Sequence, residues 1–181
     1  MLRITVPATE LWDERNETFI TLGKDYPLQL EHSLVSLSKW ESKWHKPFLS
    51  KEKMTIEETL DYIRCMTLTQ NVPPEVYYAL TDDNIAEINA YIEAPMTALR
   101  LPKEKKGTLN RETITSELIY YWMITLNIPI EFQKWHLNKL LSLIKLCNIK
   151  NAPPKKMGKE ELMRRNAELN AIRRAQFNSK G

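Results

Sequence analysis

Three histidines, two cysteines and a few paired carboxylates are the residues of this sequence that could do chemistry. His32, His45 and His136 could serve as general bases or metal ligands, and Cys65 or Cys147 as a nucleophile once ionised. Their spacing argues against both uses. No two histidines have the HExxH step that turns a pair of imidazoles to one side of a helix, and no Cys/His set has zinc-finger spacing. His136 and Cys147 read as lying on one helix, where eleven residues separate them by roughly 16 Å along the axis, beyond the reach of a thiol–imidazole pair. No GxSxG elbow occurs. Glu57-Glu58 and Asp82-Asp83 fall where helices should begin, and there the positive end of the helix accounts for carboxylates. The four glycines, at 23, 107, 158 and 181, are too scattered to form a phosphate-cradling GxGxxG or GxxxxGK loop. The residues therefore predict a protein that is not an enzyme, with neither a cofactor nor a metal site.

Recognition is the better use for what remains. Within Leu28–Leu49, Leu30, Leu34, Leu37, Trp40 and Trp44 recur at helical spacing and form one apolar stripe. Glu31, Ser38, Lys39, Glu41 and Lys43 fall largely off it. Two tryptophans a turn apart each carry roughly 150–250 Å² of buriable surface, enough to anchor either a core or a partner.

The elements that would hold these residues are mostly helices. Arg3–Val6, Thr18–Leu22 and Tyr26–Leu30 are short β-branched or aromatic runs separated by turn formers. They predict a small hairpin or three-stranded piece over residues 1–30, flowing into a helix over Leu30–Trp44 that Pro47 ends. Thr55 and Glu58 have capping-box spacing ahead of a helix carrying Leu60, Ile63 and Thr67, with Ile56 and Tyr62–Met66 adjoining, on one side. Pro73-Pro74 opens a short helix, and Thr81 caps another with Ile85, Ile88 and Ile92 as its stripe. Pro95–Asn110 reads as an exposed loop, with Lys103–Gly107 as a protease-sensitive centre. Two apolar helices follow, over Ile114–Leu126 and Glu131–Asn148. Leu137, Leu140, Leu141, Ile144 and Leu146 or Cys147 form the inner side of the second. Residues 151–181 read as a linker and a basic, mobile C-terminal helix over Lys159–Phe177 with few large apolar residues. The prediction is a mainly α protein: a β element over 1–30, a helical body over 30–150 and a basic C-terminal helix or tail over 151–181.

Composition fits one ordinary globular core. The chain has 181 residues, 43% hydrophobic and 27% charged. Net charge is +3, yet Pro153–Gly181 alone holds eight Lys/Arg against three Asp/Glu, so the rest is slightly acidic. Two cysteines without CxxC spacing suit buried thiols in a reducing compartment. The first residues lack the pattern of a secretory signal, and no run approaches the roughly 20 apolar residues of a membrane span. The basic tail could meet phosphates, but only Phe177 interleaves with its cations, and no RNP, zinc-finger or helix-turn-helix pattern accompanies it. Nucleic acid is therefore not the expected partner.

Four blocks carry a family resemblance: LEHSLVSLSKWESKWHKPFL at Leu30–Leu49, YIEAPMTAL at Tyr91–Leu99, ELIYYWMITLNIPIEFQKWHLNKLLSLIKLCNIKN at Glu117–Asn151, and the ending AELNAIRRAQFNSKG. Together they resemble the tail assembly chaperones of long-tailed, siphophage-type bacteriophages. The resemblance implies a protein of the host cytoplasm that binds the tape measure protein, keeps it soluble while the tail tube polymerises, and is missing from the mature virion. It implies the tape measure protein as partner, the tail tube protein as a further candidate, and self-association, with no catalytic residue or cofactor. That family is largely helical, and the strand-like residues 1–30 depart from it. Interfaces of this kind are anchored by aromatics and arginine, which makes Trp40, Trp44, Tyr121, Trp135, Arg164, Arg165, Arg173 and Arg174 the candidate partner-binding residues. Two other readings compete: a virion structural protein of the tail or head–tail junction, and a basic-tailed nucleic-acid-binding module.

Overall fold

The structure is a computed structural model that describes residues 1–13, 18–50, 53–99, 113–152 and 158–177. Its described residues are mainly helical, and they divide into two compact units, Met1–Asn148 and Ile149–Gly181.

Four strands open the first unit: β1 (Leu2–Val6), β2 (Thr9–Asp13), β3 (Thr18–Leu22) and β4 (Tyr26–Leu30). β1 pairs antiparallel with β4 and β2 with β3, so one hairpin is nested inside the other rather than forming a three-stranded sheet. Sequence reading missed β2, whose Thr9–Asp13 run is short and hemmed in by Pro7 and turn formers. Val6 faces Tyr26 and Thr9 faces Leu22, so the second arm holds one residue more than the first between the two pairs. That bulge-like mismatch interrupts the ladder, and Ala8 N–H donates to Asp25 Oδ1 at 2.8 Å across the gap. Ile4, Val6, Leu28 and Leu30 alternate inward to the core.

Helix α1 covers Leu34–Trp44, not Leu30–Trp44. Leu30 stays in β4 because Leu2 pairs with it, and the chain turns only at Ser33. There the Ser33 hydroxyl accepts Ser36 N–H while the Ser36 hydroxyl accepts Ser33 N–H, a capping box built from two serines. His45, in the left-handed region at φ 53, closes the helix two residues before Pro47.

Helix α2 (Ile56–Met66) starts at the predicted Thr55/Glu58 capping box. Tyr62, Ile63 and Met66 face inward as the stripe predicts, but Glu58 and Asp61 are buried beside them and Ile56 is exposed. Helix α3 (Glu75–Tyr78) follows Pro73-Pro74, and α4 (Asp82–Glu93) follows Thr81, whose side chain accepts Asn84 N–H. Residues 95–99 are neither helix nor strand, and the predicted protease-sensitive Lys103–Gly107 lies outside the described residues.

Helix α5 spans Ser116–Thr125. The helix predicted over Glu131–Asn148 is two elements, a 3-10 helix over Ile130–Lys134 and α6 over Leu137–Asn151. The break is a tertiary contact: His136 bridges Ser33 in strand-like fashion, and Leu137 N–H donates to His32 O at 2.7 Å. Leu137, Leu140 and Ile144 form the inner side of α6, as predicted.

Helix α1 joins two hydrophobic clusters. Trp40 lies in the first with β1, β4, α2, α3 and α4; Leu34 and Leu37 lie in the second with Ile119, Met123, Leu137, Leu140 and Ile144 of α5 and α6. The single stripe predicted for this helix thus serves two cores. In the second unit, α7 covers Lys159–Phe177.

Candidate partner-binding surfaces

The residues with chemical potential sit mostly inside. His32 Nδ1 lies 2.6 Å from Tyr62 Oη, and its ring stands 5.1 Å from that of His136. His136 Nδ1 accepts Asn138 N–H at 3.3 Å, which leaves Nε2–H to donate to Tyr91 O at 3.0 Å. Burial lowers His32 to about 4, helped by the neighbouring His136, and burial also lowers His136 against the opposing pull of the Tyr91 carbonyl. Both rings are neutral at pH 7. Around them, Tyr91 Oη–H donates to Glu31 Oε1 at 2.7 Å, and Glu31 Oε2 meets the Met1 ammonium at 2.8 Å. Burial first, then this carboxylate, holds the Tyr91 phenol protonated.

The carboxylates are also engaged. Glu41 was placed off the α1 stripe, yet it is buried: Oε1 accepts Phe48 N–H at 2.9 Å and Oε2 accepts Ser116 N–H at 2.7 Å. Glu58 accepts from Lys46 Nζ at 2.5 Å and from Thr55 N–H at 2.8 Å, and these two bonds, the lysine first, keep it ionised below the usual carboxylate range. Asp61 accepts from Lys43 Nζ at 2.5 Å and Trp44 Nε1 at 2.9 Å. Burial pushes the half-buried Cys65 thiol up, away from the reactive thiolate. Among the described residues no group of three or more His, Cys, Asp or Glu is placed to hold a metal ion. An open cleft of about 460 Å³ lies between the end of α1 and the start of α5, lined by Glu41, Ser42, His45, Lys46, Pro47, Thr115 and Glu117. Its lysine and carboxylates offset one another, so its lining favours no ligand of one charge.

The predicted partner-binding residues separate by environment. Trp40 is 1% exposed and donates its indole N–H to Glu58 O at 2.9 Å, so its side chain belongs to the core. Trp44 is half-buried, stacked on Trp40 at 6.3 Å between centroids and tied to Asp61. Trp135 is half-buried too, stacked on Phe132 at 3.9 Å with Lys139 Nζ 4.2 Å from its ring centroid. Tyr121 faces out. Arg164, Arg165, Arg173 and Arg174 are exposed on α7, where Arg164 lies 3.8 Å from Glu168.

Tyr121 belongs to a surface that the sequence reading did not assemble. Ser116, Ile119 and Met123 are the buried residues of α5, but its other side also carries large apolar residues, with Tyr121 61% and Ile124 74% exposed and Leu118 half-buried at the preceding turn, beside the exposed Glu117 and Thr125. Here one side is covered and the other is open. The run LIYYWMI in the sequence carried that signal, but which of its residues face out depends on packing.

No family model, no curated protein and no solved structure matches this chain. Among the described residues no helix is long and apolar enough to cross a membrane.

Proposed function

We propose that this protein is a bacteriophage tail assembly chaperone that binds the tape measure protein in the host cytoplasm and keeps it soluble until the tail tube polymerises around it. The four sequence blocks at Leu30–Leu49, Tyr91–Leu99, Glu117–Asn151 and the C-terminus support the family. On the structural side the reading rests on one observation, the open apolar side of α5 at Leu118, Tyr121 and Ile124. A long amphipathic helix needs its apolar face covered, and a second helix laid along an exposed apolar row is a recurrent way to do it. Tyrosine suits such a contact because it offers large area at little loss of rotamer freedom. His32, His136, Glu41, Glu58 and Asp61 are all engaged in hydrogen bonds within the fold, which suits a holder rather than a catalyst.

The test is co-expression with the tape measure protein of the phage that carries this chain, with solubility and co-purification as the readout. Wild type should keep the tape measure protein soluble and bound, and Tyr121→Lys/Ile124→Lys should lose both while its circular dichroism is unchanged. Mass spectrometry of purified particles completes it. Recovery of this chain from particles would make it a virion component and overturn the chaperone reading.

A further inference from the structure

We infer that the contact between His32 and His136 is a proton-operated latch. With both rings neutral it fastens the start of α6 to the β4–α1 turn and to the end of α4; when protons enter, it lets α6 go while β1, β4 and α2 stay packed. This inference does not depend on the tail assembly reading.

Three consecutive residues carry the crossing. Leu137 N–H donates to His32 O at 2.7 Å, and His136 Nε2–H donates to Tyr91 O at 3.0 Å. Asn138 Nδ2 donates to Ile92 O at 2.8 Å and to Ala94 O at 2.9 Å. At the centre the two imidazoles stand 5.1 Å apart, and both residues are buried.

Each ring uses its Nδ1 as an acceptor. His136 Nδ1 accepts Asn138 N–H at 3.3 Å. Tyr62 is fully enclosed and has no hydrogen-bond partner other than His32 Nδ1 among the described residues, so its hydroxyl donates to that nitrogen. A proton on either Nδ1 sets a donor against a donor, and the bond is lost as the charge arrives. Two charged rings at this spacing, out of water, also repel each other.

The surrounding charges are already matched. Glu31 in the β4–α1 turn acts on His136, but its oxygens are held by Tyr91 Oη–H from α4 and by the Met1 ammonium, which opposes it. Helix α2 brings Tyr62, with Cys65 near enough to act on it, and α1 brings Glu41, bonded to Phe48 N–H and Ser116 N–H. Lys134 and Lys139, on either side of His136, are exposed. Among the described residues no carboxylate bonds to either ring, so protons enter as the latch opens. Leu137 and Leu140 share their cluster with Ile119 and Met123, so α5 loses its cover with α6, whereas the first cluster draws on β1, β4, α2, α3 and α4.

The experiment is amide hydrogen exchange of the full chain, read residue by residue by NMR at pH 7 and pH 5 over a series of low urea concentrations. Released imidazoles titrate at about 6.5, so protection of the Leu137 amide should fall between these pH values by about 25-fold for one ring and about 600-fold for both. At pH 5 that amide should exchange faster than the Ile63 amide in α2 and with a weaker urea dependence, the mark of a partial opening. His32→Gln/His136→Gln should remove the pH dependence at Leu137. Unchanged protection of Leu137 between the two pH values, or its exchange together with Ile63 at the same urea dependence, would overturn the inference. So would a double variant that keeps the pH dependence; if that variant does not fold, the wild-type comparison decides.

Discussion

The carboxylate of Glu41 holds the backbone N–H of Ser116, 75 residues further along the chain, at 2.7 Å, while its second oxygen holds Phe48 N–H at 2.9 Å. It thereby fixes the segment after α1 and the first turn of α5 to one side chain. Glu41→Ala leaves two buried donors without an acceptor, and a hydrogen bond to a charged group contributes about 1.5–3 kcal/mol. Urea denaturation should show a loss in that range or above it, with Glu41→Gln, which retains one acceptor oxygen, losing less. Equal losses for the two variants would remove the hydrogen bonds as the cause.

Trp40 and Trp44 are one turn apart, yet their truncations should differ. Trp40 is fully enclosed and bonded to Glu58 O, so Trp40→Ala should cost about 3–5 kcal/mol, the range for deleting a large core aromatic. Trp44 is half-buried at the end of the same helix, and Trp44→Ala should cost clearly less. Chemical denaturation of both variants decides, and a larger loss at Trp44 would contradict the packing described above.

Helix and strand existence was legible in the sequence wherever a local signal set it. Thr55 with Glu58, Thr81, Pro47 and Pro73-Pro74 each mark a boundary through their own chemistry, and the structure follows them. What was not legible depended on distant partners. Helix α1 begins late because Leu2 pairs with Leu30, and the helix expected from Glu131 breaks at His136 because Ser33 and His32 take its backbone. Hydrophobic periodicity could not divide the α1 stripe between two cores, since both sides of the division are equally apolar. The candidate surface was half legible: Tyr121 was picked as an aromatic, but its neighbour Ile124 emerged only once the covered side of α5 was known.

Acid should weaken the fold in two separate windows. His32 is held at about 4 in the folded state and titrates at 6.5 when unfolded, so between these values the unfolded chain binds more protons. Its contribution is fully present above pH 6.5 and is lost as pH falls toward 4, by about 3 kcal/mol at most. His136, lowered in the same direction, adds to the loss. Glu58 acts below that window: its lowered folded pKa makes its contribution complete above the ordinary carboxylate range and lost as acid protonates it. Urea midpoints of wild type and His32→Gln at pH 7 and pH 5 test the upper window. A wild-type fold as stable at pH 5 as at pH 7 would contradict the buried neutral imidazole.

Removal of residues 153–181 should leave the first unit folded. The residues that build both hydrophobic clusters lie within Met1–Asn148. The truncated chain should therefore unfold cooperatively with a urea midpoint close to that of the full chain, because it keeps the residues of both cores. Loss of α7 should leave the Tyr121–Ile124 side of α5 able to hold a partner helix. A truncated chain that no longer unfolds cooperatively would overturn the division of the chain into two units.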